Sequence, residues 1–158
     1  MGTGFSLTNL HGNHYHEIIH NLYIGDYQSI NQKFFEKQKK IIVINATPNV
    51  KFNRNIKSIN YRIPIEDDLT YKSNLELFFS LSSLTDTINT YLKKKYIVLV
   101  HCVAGRQRSC AIVAAYLMKY HNMSLNNAIY TIKKNRPNAF FGNINFKLAL
   151  KKFSLLIN

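Results

Sequence analysis

Short apolar runs alternate along the chain with longer stretches in which apolar residues recur at helical spacing. Leu22-Tyr23-Ile24-Gly25 reads as a short strand ending at a glycine turn. Gln28 to Gln38 carries Ile30, Phe34 and Phe35 at helical spacing, which predicts one short amphipathic helix. Ile41-Ile42-Val43-Ile44 is an unbroken β-branched run, the mark of a strand buried on both faces. Asn45 to Asn55, with Pro48, reads as a loop, and Ile59 to Ile65 as another strand. Asp67 to Lys72 is polar and reads as a loop. Leu75, Phe78, Phe79, Leu81, Leu84, Ile88, Tyr91 and Leu92 then outline a long helix. Tyr96 to Val100 is a strand, and Ser109 to His121 an almost wholly apolar helix expected at the centre of the fold. Ser124 is placed to cap a helix that stops near Pro137, and Asn143 to Ile157 predicts the last helix. Residues 1–17 are polar and read as a flexible N-terminal arm, with residues 18–158 forming a single domain. Strands alternating with helices imply an α/β sheet flanked by helices on both faces.

Composition supports a folded chain. Its 158 residues are 46% apolar and 13% aromatic, enough for one well-formed core. No apolar run approaches the length that spans a bilayer, and the first residues lack a secretory-signal layout. Cys102 and Cys110 are the only cysteines, which excludes a disulfide scaffold and a tetrathiolate zinc site and makes a reducing, cytoplasmic setting the expectation. Charge changes the picture more. Lys and Arg number 21 against 8 Asp and Glu, and no acid follows Asp86. Such a field favours an anionic partner: phosphoprotein, nucleic acid or anionic lipid.

The candidate chemistry sits between the apolar strand and the central helix. His101-Cys102-Val103-Ala104-Gly105-Arg106-Gln107-Arg108-Ser109 joins them. Ligands of α/β sheets bind at the carboxyl ends of strands, and a helix N-terminus there offers free N–H groups to an anion. Five residues separate Cys102 from Arg108, enough for the loop to curl around a tetrahedral anion with the amides of Val103, Ala104, Gly105, Arg106 and Gln107 turned inward. Gly105 suits the sharp bend. The guanidinium of Arg108 can grip two phosphate oxygens, and a thiolate at Cys102 can attack phosphorus. Ser109 is placed to donate a hydrogen bond to that sulfur, and His101 to orient the loop. Cys110, in the first turn of an apolar helix, reads as core.

Val98 to Ser109 resembles the signature of the cysteine-dependent dual-specificity protein phosphatases, most closely the small poxvirus-type members. Ile19 to Gly25, Ile42 to Thr47, Ala115 to Met118, Arg136-Pro137 and Asn143 to Phe146 are similar to further family segments, so the resemblance covers most of the chain from about residue 18. It implies a protein tyrosine phosphatase-like fold with a mostly parallel sheet of about five strands. It implies a cysteinyl-phosphate mechanism with no metal and no cofactor. The segment Ile63 to Asp68 is similar to the family's acid loop and puts Asp67 in the place of the general acid, with Asp68 the neighbouring alternative. It implies that Asn143 buttresses the phosphate loop, although Gly142 stands where the family usually has proline.

The resemblance implies phosphorylated protein substrates. The chain is too short for the loops that deepen a tyrosine-only pocket, so phosphotyrosine and phosphoserine or phosphothreonine are both expected. Arg106, an extra cation in the loop, keeps open a phospholipid head group or an RNA 5′-phosphate on the same scaffold. A phospho-binding protein without turnover is the reading of another class, and Cys102, Arg108 and a candidate acid stand against it. Met1-Gly2-Thr3-Gly4-Phe5-Ser6 fits an N-myristoylation pattern, which with the basic charge would bring the chain to a membrane. His11, His14, His16 and His20 cluster at a spacing that suits no standard zinc site. The oligomeric state has no sequence signal.

Overall fold

The structure, a computed structural model, describes residues 14–158. Most of the segment expected as an N-terminal arm, Gly2 and His11 included, lies outside the described residues. The arm's last residues do not behave as an arm. Strand β1 (Tyr15–Ile19) pairs antiparallel with β2 (Leu22–Gly25) across a His20-Asn21 turn. Asn21 takes φ 66°, a left-handed conformation that asparagine tolerates well. Polar neighbours hid this strand from hydropathy alone. Tyr15 anchors it by packing on Phe34 and Phe35, with ring centroids 5.7 and 4.8 Å away.

Strands β3 (Ile41–Asn45), β4 (Ile59–Arg62) and β5 (Ile97–His101) complete a five-stranded sheet of order β1-β2-β5-β3-β4. All pairings except β1–β2 are parallel. Gly25, His101 and Asn45 share one register position, so β2, β5 and β3 end together. That common edge is where the Cys102 loop begins.

The strand sequences are buried on alternate faces. Leu22, Ile24, Ile42, Ile44, Val98 and Val100 face the larger core. There they meet helices α2 (Tyr71–Lys93), α3 (Arg108–Tyr120), α4 (Leu125–Asn135) and α5 (Lys147–Ile157). Ile41, Val43 and Leu99 face the other side, covered by Ile30, Phe35 and Ile56. The short helix α1 (Lys33–Glu36) and a 3-10 turn, Ser29–Asn31, carry that smaller cover. Helix α3 is buried without interruption from Arg108 to Met118, as its apolar circumference predicts.

Several boundaries moved for identifiable reasons. The helix expected over Gln28 to Gln38 is broken at Gln32, which is extended (φ −83°, ψ 136°). The break resets the helical phase so that Ile30 and Phe35 both turn onto the sheet. Strand β4 stops at Arg62 because Pro64 has no N–H to donate; Ile63 N makes the last bond, to Asn45 O, at 2.9 Å. Helix α2 begins a turn earlier than its apolar pattern, because Thr70 caps it by accepting from Ser73 N at 3.1 Å. Helix α5 begins at Lys147 rather than Asn143, because the backbone of residues 143–145 is held by the side chain of Gln107 instead.

Leu81 is fully buried in the α2 face of the core, whereas Leu155 is 80% exposed. Leu81→Ala is therefore expected to lower the unfolding free energy by about 2–5 kcal/mol, and Leu155→Ala by no more than about 0.5 kcal/mol. Urea unfolding of the two variants beside the unmodified protein reads this contrast.

Candidate active site

The loop from Cys102 to Gln107 joins β5 to α3 and owes its shape to bonds made on its outer side. Val103 O accepts from Tyr27 N at 2.9 Å, and Arg106 O from Phe140 N at 2.7 Å. Ala104 O and Gly105 O accept from the guanidinium of Arg136, at 3.3 and 2.7 Å. Gln107 O accepts from Ala111 N at 2.8 Å. Each of these carbonyls shares its peptide with the N–H of the next residue, so holding them outward turns the amides of residues 104–108 the other way. None of the amides of residues 103–107 donates to a partner among the described residues. Backbone N–H groups converging in this way have the form of an anion nest. Gly105 is indispensable to it. Its φ is 64°, and a Cβ there would lie 2.5 Å from Arg136 Nη2 and 2.7 Å from Gly25 O.

A cleft of about 310 Å³ opens over the loop, lined by Asp67, Cys102, Val103, Ala104, Arg106, Gln107, Arg108, Phe141, Gly142, Asn143 and Asn145. Cys102 lies at its floor, 2% exposed, with Sγ 3.2 Å from Ser109 Oγ. The hydroxyl can thus donate to a sulfur that carries negative charge. Arg108 is the first residue of α3, and its Nη1 donates to Ile65 O at 2.8 Å. Its Nε is buried without a partner among the described residues. One anchored nitrogen fixes the plane of the guanidinium and leaves the Nε edge free for anion oxygens.

His101 is fully buried, with Nδ1 3.2 Å from Cys102 O. A carbonyl only accepts, so Nδ1 carries the hydrogen. Burial pushes the imidazole pKa down to about 4, so the ring is neutral at physiological pH. Cys110 is also buried, with Sγ 3.5 Å from Gly105 O. Burial drives its thiol pKa well up, which keeps it protonated and suits a core residue.

The two neighbouring aspartates are sorted by geometry. Asp68 Oδ1 accepts from Thr70 Oγ1 at 2.7 Å, from Ser73 Oγ at 2.7 Å and from Thr70 N at 3.1 Å. The bonds from Thr70 and Ser73 hold its carboxyl below the usual range, as a carboxylate at the start of α2. Leu69, at φ 63°, makes the turn that brings it there. Asp67 instead lines the cleft, and its Oδ1 accepts from Asn145 Nδ2 at 2.9 Å.

Arg106 is exposed at the rim, with Cζ 5.7 Å from the centre of the Phe141 ring, and makes no pair with Asp68. Asn143 is exposed, and its carbonyl accepts from Gln107 Nε2 at 2.6 Å. Among the described residues no group of three or more His, Cys, Asp or Glu could hold a metal. His14 Nδ1 lies 2.8 Å from Asp26 Oδ2, and His16 Nδ1 lies 2.8 Å from Arg136 Nη1.

Cys102, Arg108, Asp67 and the loop amides therefore come together, with Ser109 and His101 behind them. Three contributors have roles that their sequence neighbourhood does not reveal. Arg136 shows in sequence only as part of an Arg-Pro pair, yet it is fully buried and bonds a carbonyl 31 residues away. Gln107 reads from sequence as a loop residue, and its side chain also clamps the backbone of residues 143–145. Asn145, whose Nδ2 donates to Asp67 Oδ1, lies in the family-like segment Asn143 to Phe146, but nothing in that segment points to Asp67.

Residues 22–154 match the dual specificity phosphatase catalytic domain. The human "Dual specificity protein phosphatase 9" is 34% identical over 140 residues, covering 87% of this chain and 35% of that protein. The chain thus spans about a third of the length of that curated relative. "Putative tyrosine phosphatase 123R" of Invertebrate iridescent virus 6 is 32% identical over 143 residues, covering 90% of this chain and 93% of that protein. The crystal structure of human DUSP28 superposes with a TM-score of 0.79 at 21% identity, covering 90% of this chain and 94% of that one, which supports the fold.

The neutral His101 sets a pH dependence of stability. The unfolded imidazole takes a proton near its ordinary 6.5, whereas the folded one resists to about 4. The unfolded chain therefore binds more protons between these values, and stability falls as pH drops through that window. The loss at pH 5 is on the order of 2 kcal/mol. Burial and the nearby Arg136 charge also lower the His16 pKa, which adds to the loss in the same direction. Urea unfolding at pH 7.5 and pH 5 is expected to show this loss, and His101→Asn to reduce it.

Proposed function

The chain belongs to the dual specificity phosphatase catalytic-domain family, and from that premise we propose that it hydrolyses phosphomonoesters through a cysteinyl-phosphate intermediate. The observation that carries this reading is the cleft floor, where Cys102 Sγ lies beneath inward amides and the open edge of Arg108.

The phosphoryl group enters with its oxygens toward the loop amides and the Arg108 guanidinium. The Cys102 thiolate attacks phosphorus, a P–S bond forms and the P–O bond to the leaving group breaks. Asp67 gives its proton to the departing oxygen. A water then attacks the phosphocysteine, Asp67 takes a proton from it, and the P–S bond breaks to release inorganic phosphate. Ser109 Oγ–H, 3.2 Å from Sγ, donates to the sulfur as it regains its charge. Preorganised donors are effective here because they need no rearrangement as charge develops. His101 orients the loop through the Cys102 carbonyl.

The cleft's form supports a dual substrate class. An open cleft of about 310 Å³ accommodates phosphotyrosine and phosphoserine or phosphothreonine in proteins alike. Arg106 at the rim supports the second reading, a phospholipid head group or an RNA 5′-phosphate. Phosphopeptides, phosphoinositide vesicles and 5′-phosphorylated RNA assayed in parallel separate the two. The catalytic domain is drawn from Tyr15, where β1 starts, to the end of α5. Among the described residues no helix is long and apolar enough to cross a membrane.

Cys102→Ser is expected to lower 4-nitrophenyl phosphate hydrolysis at least about a thousandfold while keeping the fold. Retained turnover would remove the nucleophile assignment. Asp67→Ala is expected to slow alkyl phosphate hydrolysis about a hundredfold, with a much smaller effect on esters whose leaving group needs no proton. Asp68→Ala is expected to change stability through the start of α2 and to leave that leaving-group dependence intact.

A further inference from the structure

We propose that Asn145 is a positioning residue for the general acid, and that Gln107 and Asn145 form a two-amide latch tying Asp67 to the phosphate loop. The inference rests on the assignment of Asp67 as acid made above.

Asp67 needs such a device. It is exposed on the loop between Pro64 and α2, and its one hydrogen bond among the described residues is the one from Asn145 Nδ2 at 2.9 Å. A carboxyl on a free loop would sample several rotamers, and a misplaced acid transfers its proton poorly. The bond engages Oδ1 and leaves Oδ2 as the oxygen able to carry the proton toward the leaving group.

Asn145 is itself held on both sides of its backbone. Its N–H donates to Gln107 Oε1 at 3.0 Å, and its carbonyl accepts from Asn74 Nδ2 at 3.3 Å. The Gln107 carboxamide is doubly engaged, because its Nε2 also donates to Asn143 O at 2.6 Å. These partners admit only one orientation of the Gln107 amide, since a carbonyl cannot donate and an N–H cannot accept. Gln107 lies between Arg106 and Arg108 in the phosphate loop and is 7% exposed. A continuous set of hydrogen bonds thus runs from the loop that binds phosphate to the carboxyl that protonates the leaving oxygen. Asn74, on α2, anchors the far side by accepting from Ala149 N at 3.2 Å. The same clamp keeps residues 143–145 out of helix α5. The latch therefore links the two halves of the reaction, so that acid and nucleophile keep a fixed separation.

The test is a cycle of Asn145→Ala and Asp67→Ala, singly and together, assayed on an alkyl phosphate and on 2,4-dinitrophenyl phosphate. One neutral hydrogen bond is worth about 1 kcal/mol, so Asn145→Ala is expected to lower kcat on the alkyl phosphate about fivefold to tenfold. KM and the rate on the dinitrophenyl ester should change less than about twofold. In the Asp67→Ala background the same substitution should have no further effect. Asn145→Asp, nearly the same size, keeps the backbone bonds but sets a second carboxylate against Asp67, and should lose more than the alanine variant. Gln107→Ala should show the same leaving-group signature with a raised KM. A loss from Asn145→Ala that is equal on both esters, or that multiplies the Asp67→Ala loss, overturns the latch. If Asp67→Ala shows no leaving-group dependence, the acid assignment falls and the latch with it. If Asp67→Ala shows it and neither Asn145 variant does, the latch alone falls.

Discussion

The site depends on where the phosphate loop's carbonyl groups go. A peptide that turns its C=O outward must turn its N–H inward, so the framework builds an anion site by satisfying the loop from behind. Tyr27, Phe140 and Ala111 do this with backbone amides, and Arg136 with a guanidinium. None of them need touch the substrate. Amides left without protein partners are donors that the proposed phosphate group would satisfy.

Arg136 is the least replaceable of these supports. A buried cation is expensive unless its donors are met. Here Gly105 O, Ala104 O and His16 Nδ1 each take one. The bond to His16 requires a neutral imidazole, because a protonated ring has no acceptor. Burial and the Arg136 charge both lower the His16 pKa, so that condition holds at physiological pH. Strand β1, which carries His16, thereby reaches the phosphate loop through one intervening side chain. Lysine could not replace Arg136, because a single ammonium cannot reach these acceptors with the fixed fork of a guanidinium.

Two adjacent aspartates follow Glu66, and identical chemistry receives different work from their surroundings. Asp68 faces the start of α2 and satisfies Thr70 and Ser73. Asp67 faces the cleft and meets Asn145. Leu69, in its left-handed conformation between Asp68 and Thr70, makes the turn that brings Asp68 to the start of α2. Strain at Leu69, of order 1–3 kcal/mol, is offset by the hydrogen bonds Asp68 makes beyond it.

The sequence by itself determined that Cys102, Gly105 and Arg108 sit together in one loop, and the strand–loop–helix that frames them, because His101 to Ser109 is contiguous. It also determined β3 and β5 and helix α3, whose β-branched and apolar runs need no distant partner to be read. Ser124 as a cap was legible for the same reason. Only the tertiary structure decided the rest. Strand β1 is defined by pairing with β2, not by its own mixed residues. The late start of α5 is imposed by Gln107, a side chain 36 residues away from Asn143. The contact of Asp67 with Asn145 joins residues 78 apart, and that of Arg136 with His16 joins residues 120 apart. Local periodicity records which face of an element is buried, but a hydrogen bond between distant segments leaves no pattern in either one. Its partners exist only once the chain has closed around the cleft.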